Sequence, residues 1–383
     1  MTRVAQGTQA SPWMCHLMQA EQEGRIPPGA GPLYTRRVVP SLVPVARKDL
    51  VAAGMRRSSI LSLYTPVTRS LLLPRPLADL PEKHGIDGLD RVFATGRGDD
   101  PGLFVHDIVS RARAHAAENP GAMIGGWAAL GIHGLPYWAD AAPVLLHSRR
   151  LSPSGPGRTA SASRTPRRPV VRAWPKGVDP VFPDPVVPGL AVVPVEVAAA
   201  QCLAAVVGQR HTWFAAGVNG LSLAGIRAVQ LIDALRQCTV LGIGELVEGC
   251  ARRVDADTAR RLTDMSDSGA QSPQETLLRL VVRDLLPDGY AWMSQVEVSW
   301  GPRRKDRTVL DLACPELKVG LYYDGGSHAD RAQRTTDFVQ VQELRDMGWE
   351  TVRADWSLLH GDRGRYLTQV GNALTRAASH HGR

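Results

Sequence analysis

The sequence predicts a multidomain protein that mixes helices and strands, of the α+β or α/β class. With 383 residues, of which 44% are apolar, the chain is long enough for two or three ordinary hydrophobic cores. Two helical patterns and a pair of strands begin near residue 44, and a helix, three strands, a helix and a fourth strand follow residue 271. The expected domains are an irregular arm at 1–43, a helix-turn-helix domain at 44–80, a mixed domain at 81–270 and a last domain at 271–383.

The overall charge favours an anionic partner. The formal net charge is +8, and nucleic acid is the commonest partner of strongly basic proteins. Almost all of the basic residues are arginines, so only their placement is informative. The five cysteines are scattered and contain no CxxC pair, which argues against a disulfide framework or a zinc site. We therefore expect a cytoplasmic protein that binds DNA, with no signal peptide and no membrane-spanning segment.

The stretch from 44 to 75 reads PVARKDLVAAGMRRSSILSLYTPVTRSLLLPR. It predicts a short helix, a break at Gly54, a second helix and then a strand pair, which is the layout of a winged helix-turn-helix. In such a domain the second helix contacts DNA, and its start is rich here in basic and hydroxyl side chains. The predicted DNA-binding residues are Arg56, Arg57, Ser58 and Ser59. The alternative is a plain helical hairpin that does not touch DNA.

The middle region holds ordinary globular sequence and one strongly basic segment. We expect a strand at 189–197 followed by a helix at 198–208, and then two helices, at 223–238 and 244–254, that pack as a pair. Residues 149–176 contain eight basic residues and no acidic one, among many serines, prolines and glycines. This segment is either a solvated linker or a loop that lies on phosphates.

The last domain starts with a strong helix signal. Ser272 is suited to the N-cap, Pro273 to the first helical position and Glu275 to the third, as in a capping box. Three strand-like runs follow, AWMSQVEVSW, DRTVLDLACP and LKVGLYYDG, and their short connections predict a meander of neighbouring strands. The basic residues of the first connection either rest on DNA phosphates or are simply solvated. They are Arg303, Arg304 and Lys305.

Two carboxylates in these strands are candidates for chemistry. Asp311 interrupts a strand that otherwise reads as core, and a buried charge is costly unless it is paired or bound to a metal. Asp324 ends the third strand, where an ordinary turn residue is the alternative explanation. A helix at about 331–347, a fourth strand and a closing helix complete the order of elements found in the PD-(D/E)xK nuclease fold. In that fold a helix glutamate and two strand acids converge on a divalent cation.

The order of four motifs carries a family resemblance. The chain reads SPQE at the helix start, LDLACP in the second strand, YYDGGSH at the end of the third and DFVQVQELRDMGWETVR across the next helix and strand. In this order it resembles the endonuclease-like domain of actinobacterial proteins related to very-short-patch repair. The preceding part of the chain is similar to the AbiEi-like antitoxin proteins to which that domain is often fused. The resemblance covers roughly residues 44–378.

The resemblance implies a DNA-binding protein that hydrolyses phosphodiesters with Mg²⁺, in phage defence, a toxin-antitoxin system or DNA processing. A cognate toxin or a phage component would be its protein partner. Glu275, Asp311 and Asp324 would hold the metal, and His328 would be the base. The alternative is a catalytically inactive transcriptional regulator or antitoxin that keeps the nuclease-like domain as a scaffold.

One departure from the family pattern leaves three interpretations open. The family has a glutamate where this chain has Tyr322, and tyrosine is a poor ligand for magnesium. In the first interpretation Asp324 replaces the missing acid. In the second, a backbone carbonyl takes its place and His328 assists the water, as in mismatch-repair nickases. In the third, catalysis is lost and the domain grips DNA or a partner.

Overall fold

The structure is a computed structural model of the chain. It describes residues 41–75, 106–135, 137–140, 142–153, 168–239, 241–251, 253–300, 306–324 and 331–381. The chain divides into two compact units, each made of two pieces of sequence. The first unit consists of Met1–Phe214 and Cys238–Asp264, and the second of Ala215–Gln237 and Met265–Arg383. No helix in the described part of the chain is long and apolar enough to cross a membrane.

The described residues form twelve helices and ten strands in three small sheets, so the protein is of mixed α and β class. The helices are α1 Arg47–Ala52, α2 Arg57–Leu63, α3 Ile108–Glu118, α4 Gly126–His133, α5 Val195–Val207, α6 Leu223–Cys238, α7 Ile243–Cys250, α8 Ala256–Asp264, α9 Pro273–Val282, α10 Arg331–Asp346, α11 Trp356–His360 and α12 Arg363–His381. The strands are β1 Val45–Ala46, β2 Tyr64–Pro66, β3 Leu71–Pro74, β4 Met123–Gly125, β5 Leu145–Ser148, β6 Val170–Ala173, β7 Met293–Trp300, β8 Asp306–Cys314, β9 Val319–Asp324 and β10 Glu350–Asp355.

The first unit begins with a small module of two helices and three strands, α1, α2 and β1 to β3. Its sheet has the order β1-β3-β2 and is antiparallel throughout. Gly54, with a φ of +82°, turns the chain between α1 and α2 in a conformation that favours glycine. Leu71 and Leu73 of β3 are buried in a cluster with Ala114 of α3. The predicted order of helix, glycine break, helix and strand pair is confirmed at the level of these elements.

The rest of the first unit is built around a second sheet of order β4-β5-β6, in which β5 is antiparallel to β4 and parallel to β6. Asp107 is the N-cap of α3, and its carboxylate accepts hydrogen bonds from the backbone N–H groups of Val109 and Ser110. In the same helix Arg113 makes a buried ion pair with Asp184, with two N···O distances of 2.7 and 2.8 Å. These contacts cap the start of α3 and pair the buried charge of Arg113.

Two expectations for the middle region are wrong. Residues 189–197 do not form a strand, because Val192 makes only isolated bridges and helix α5 already begins at Val195. Helices α6 and α7 fall in different units: nearly all of α6 belongs to the second unit, and α7 belongs to the first, where it packs on α5. A Cβ atom on Gly249 of α7 would lie only 2.9 Å from the backbone oxygen of Glu196 in α5. An amphipathic pattern shows that a helix has a buried face, but it does not identify the neighbour.

The second unit contains a four-stranded sheet of order β10-β9-β8-β7. Strands β7, β8 and β9 form the predicted antiparallel meander, and β10 pairs in parallel with β9. Helix α9 starts where the sequence predicts, because the hydroxyl oxygen of Ser272 accepts a hydrogen bond from the N–H of Glu275 at 3.1 Å. Leu310 of β8, Leu344 of α10 and Trp349 form the centre of a buried apolar cluster. The observed order of helix, three strands, helix and strand is the predicted one.

Candidate functional site

One side-chain amide lies beside two predicted catalytic acids, Glu275 and Asp311. The Nε2 atom of Gln295 donates a hydrogen bond to Oε2 of Glu275 at 3.0 Å, and the same side chain is close enough to the Asp311 carboxylate to lower its pKa. Oδ2 of Asp311 accepts a further hydrogen bond, from the backbone N–H of Tyr323, at 2.7 Å. Helix α9 and strands β7 and β8 thus bring together Glu275, Gln295 and Asp311, which we call the acid-pair site.

Gln295 occupies this position at an irregular point of β7. The antiparallel register pairs Ser294 with Leu312, so the next residue, Gln295, lies opposite Asp311. The φ of Gln295 is +55°, in the left-handed region that costs a residue other than glycine roughly 1 kcal/mol. Such strained backbone is concentrated at functional sites of proteins. No motif in the sequence marks Gln295, because a glutamine in an alternating strand looks like any polar surface residue.

Glu275 also helps to start helix α9. Its Oε2 accepts a hydrogen bond from the backbone N–H of Gln271 at 2.8 Å, and its own N–H donates to the Ser272 hydroxyl. In a capping box the acid accepts from the N-cap residue itself, whereas here it accepts from the residue before. Glu275 therefore has a structural role and a place in the acid-pair site at the same time.

The surroundings of Asp311 favour its protonated form. Burial raises the pKa of Asp311 to about 6, although the hydrogen bonds from Tyr323 and Gln295 act in the opposite direction. The hydroxyl of Tyr366 in α12 is buried and has no hydrogen-bond partner among the described residues. Burial and, after it, the charge of Asp311 raise the pKa of Tyr366, so the two side chains are near each other. A buried polar group without a hydrogen-bond partner lowers the stability of the fold by roughly 1–3 kcal/mol. The Tyr366 hydroxyl can donate a hydrogen bond to an oxygen atom of a ligand.

Tyr322, which stands where the resembling family has a glutamate, belongs to a different group of side chains. Its hydroxyl oxygen lies 2.8 Å from Nε2 of Gln340 in α10 and 3.2 Å from Oγ1 of Thr308. The side chain packs against the apolar cluster that contains Leu310 and Leu344. Tyr322 therefore contributes to the packing of α10 on the sheet.

Asp324 lies at the exposed end of β9. Its Oδ2 is 4.0 Å from Nη1 of Arg353, and the parallel register sets Asp355 beside it. Asp355 is the N-cap of α11, where it accepts a hydrogen bond from the N–H of Leu358 at 2.8 Å. In the part of the chain that the structure describes, no three His, Cys, Asp or Glu side chains are grouped so that they could hold one metal ion. Asp324 is therefore not a third member of the acid-pair site.

The predicted base and the basic hairpin tip fall outside the described residues. They are His328, Arg303, Arg304 and Lys305. Their roles in water activation and in phosphate contact remain predictions.

The predicted DNA-binding residues at the start of α2 are accessible. Arg56, Arg57 and Ser58 are exposed, and Ser59 is half-buried. Residues 41–75 contain six basic side chains, all of them exposed, and one acidic side chain. The module presents a strongly positive surface, which suits contact with phosphates.

A cleft of about 320 Å³ in the first unit has no sequence motif of its own. It lies between the β2–β3 turn, the end of α3 and residues at both ends of the basic segment 149–176. Its polar lining, which we call the arginine cleft, consists mainly of Thr68, Arg69, His115, Glu118, Ser152 and Arg168. The only sequence signal for the cleft is the lack of acidic residues in that segment. The sequence does not show which other element the segment contacts, because that depends on the fold.

Comparison with known proteins adds no relative. No protein-family model, no curated protein and no solved structure matches the chain. The functional interpretation therefore depends on the residues and their geometry.

Proposed function

We propose that the chain is a DNA-binding protein whose second unit is a PD-(D/E)xK-type, magnesium-dependent endonuclease. The observation that carries this proposal is the acid-pair site, where one amide hydrogen-bonds a helix carboxylate and lies beside a strand carboxylate. The order of elements around it, with an antiparallel meander and a parallel fourth strand, agrees with that fold. A role in phage defence, a toxin-antitoxin system or DNA processing would follow from the same resemblance.

The residues of the acid-pair site fit a magnesium ion. Mg²⁺ is commonly bound by one or two carboxylates, and it keeps waters and substrate phosphate oxygens as its other ligands. Glu275 and Asp311 would supply the two carboxylates, and the buried Tyr366 hydroxyl adds a donor near Asp311. When bound, the ion would lower the pKa of a water molecule and offset the charge of the phosphate.

The protein's own groups prepare the site for this chemistry. The Gln295 amide holds one oxygen of Glu275, and the Tyr323 N–H holds one oxygen of Asp311. With a pKa of about 6, Asp311 is mostly ionised at pH 8 and mostly protonated at pH 5. Exposed Arg56 and Arg57 would hold the duplex through its phosphates.

A non-enzymatic function is the second candidate, and two observations favour it. Tyr322 is hydrogen-bonded within the packing of α10, and Asp324 lies beside Arg353 instead of joining the acid-pair site. On this alternative the α1–α2 module reads an operator, and the second unit serves as a scaffold for a cognate toxin or a phage component. The protein would then be a transcriptional regulator or antitoxin.

A nicking assay separates the two candidates. Purified full-length protein would be incubated with supercoiled plasmid and Mg²⁺ or Mn²⁺, beside Asp311→Asn, Glu275→Gln and Asp324→Asn. We expect the first two variants to lose about 100-fold or more of the nicking rate, and Asp324→Asn to keep most of it. Asp284→Asn is the matched control, because Asp284 is an exposed acid of the same unit.

The outcome is read together with DNA binding in a gel-shift experiment. Wild-type protein that shifts DNA but does not nick it with either metal would support the regulator. Wild-type protein that neither shifts nor nicks DNA would contradict both candidates.

A further inference from the structure

The arginine cleft has one wall that is held firmly in place. Glu118 of α3 accepts hydrogen bonds from the hydroxyl group of Thr68, at 2.8 Å, and from the hydroxyl group of Ser70. The Ser70 hydrogen bond is the main cause that lowers the pKa of Glu118. The β2–β3 turn that carries Arg69 is thus fastened to α3 through a carboxylate that already accepts hydrogen bonds from two hydroxyls.

Positive side chains outnumber negative ones in the cleft. Arg69 and Arg168 are both exposed, and they face one acidic lining residue, Glu118. His115 is buried, and burial lowers its pKa to about 4, so the imidazole is neutral near pH 7. Arg168 also belongs to the segment 149–176, in which eight residues are basic and none is acidic.

The other lining groups suit a sugar-phosphate chain. Ser152 offers a hydroxyl donor of the kind that contacts phosphate oxygens in many DNA complexes. Leu151, Pro169 and Val171 supply an apolar side. An arginine guanidinium matches a phosphate through two parallel N–H···O hydrogen bonds. The chemistry therefore fits a phosphodiester better than an apolar or a cationic ligand.

We infer that the arginine cleft binds a phosphate group of duplex DNA, as a second contact beyond the start of α2. The DNA-binding surface of the first unit then extends along the β2–β3 turn to Arg168. This inference rests on the proposed DNA-binding function and gives that function a second contact site. Because the cleft touches phosphate and not base edges, its contribution is the same for every DNA sequence.

The test measures DNA affinity as a function of salt. Fluorescence anisotropy with a labelled duplex would compare wild-type protein with Arg69→Ala, Arg168→Ala and the double variant. Loss of one phosphate contact lowers the slope of log K against log salt by about 1 and weakens binding by up to about tenfold near 0.1 M salt. Arg260→Ala is the matched control, because Arg260 is an exposed arginine of the same unit that does not line the cleft.

The expected result is a reduced slope for each cleft variant and a further reduction for the double variant, with Arg260→Ala unchanged. Cleft variants with the DNA affinity and salt slope of the wild type would overturn the inference about the cleft. In that case, loss of DNA binding in Arg56→Ala/Arg57→Ala would still support the proposed DNA-binding function. If the wild-type protein does not bind DNA, the inference and the proposed function both fail. Thermal melting of the variants shows that a weaker affinity does not come from unfolding.

Calorimetry with inorganic phosphate alone separates DNA from a free anion. If the cleft binds the DNA backbone, Arg168→Ala weakens DNA binding. This holds whether or not the protein binds free phosphate. If Arg168→Ala abolishes phosphate binding and leaves DNA binding unchanged, the cleft is a site for a free anion and the inference fails.

Discussion

Among single residues, Gln295 belongs to the candidate site although no sequence motif marks it. Its amide donates to Glu275 and contacts Asp311, and it does so from a left-handed backbone conformation. Asp311 has its raised pKa mainly because it is buried, and the Gln295 amide acts in the opposite direction. The folded protein is therefore less stable when Asp311 is ionised than when it is protonated.

Asp311→Asn should stabilise the metal-free protein at alkaline pH. The pKa of Asp311 in the folded protein is about 6, above the ordinary value of 3.8. Folding therefore favours the protonated form, and the stability that this form provides at acid pH is lost as the pH rises from about 4 to 6. We expect the variant to raise the free energy of unfolding by about 1–3 kcal/mol at pH 8.

The measurement is urea denaturation in the presence of a chelator. The gain should shrink towards zero near pH 4, where the wild-type carboxyl is itself neutral. A gain that is equal at both pH values, or a loss at pH 8, would contradict the assignment of the raised pKa to Asp311.

Between elements, a buried polar network in the second unit joins α6 to α9. Asp233 of α6 is buried, and its carboxylate accepts hydrogen bonds from Arg279 at 2.7 Å and from the Thr276 hydroxyl at 2.8 Å. The backbone N–H of Asp267 donates to its other oxygen at 2.7 Å. Burial raises the pKa of Asp233 to about 6 even though Arg279 opposes the shift. The carboxylate thus depends on its partners to remain ionised.

Arg279→Met should destabilise the protein at pH 8. The substitution leaves Asp233 buried without its cationic partner, which costs about 3 kcal/mol or more. Near pH 5 the cost should be smaller, because Asp233 is then protonated and carries no charge. Denaturation in urea at both pH values measures the difference.

Arg376→Met provides the control for this experiment. Arg376 pairs with Glu350 at 2.8 Å, but its side chain is 55% exposed, and exposed pairs contribute about 1 kcal/mol or less. A cost for Arg279→Met no larger than that of the control would show that the buried pair is not needed.

On the scale of the whole molecule, the two compact units are interleaved along the chain. The second unit takes Ala215–Gln237, which contains nearly all of α6, and then resumes at Met265. The last domain expected from the sequence, 271–383, does not include α6. The helix signal at Ser272 marks the start of an element, and an element boundary need not be a unit boundary.

A fragment of residues 271–383 should therefore be less stable than a fragment of residues 215–383. The shorter fragment lacks α6, so Arg279 loses Asp233 and the N–H···carboxylate contacts around it. We expect cooperative unfolding in urea for the longer fragment, and a broad transition or a lower midpoint for the shorter one. Equal midpoints and slopes would show that α6 adds nothing to the stability of the unit.

Local signals in the sequence predict the elements around the candidate site well. Ser272, Pro273 and Glu275 start α9 where expected, and alternation predicts the β7–β9 meander with Asp311 inside it. These features depend on caps, periodicity and turn residues, which act within a few positions of the chain. The two candidate acids and the exposed basic start of α2 follow from the same kind of local reasoning.

Contacts between distant parts of the chain account for most of the site features that the sequence did not predict. Gln295 joins the acid-pair site through β7, Tyr366 of α12 lies near Asp311, and Tyr322 contacts α10 instead. Arg69 and Arg168 meet in one cleft although about a hundred residues separate them along the chain. Periodicity shows whether a side chain is buried or exposed. Which residues it contacts depends on the packing of the complete fold.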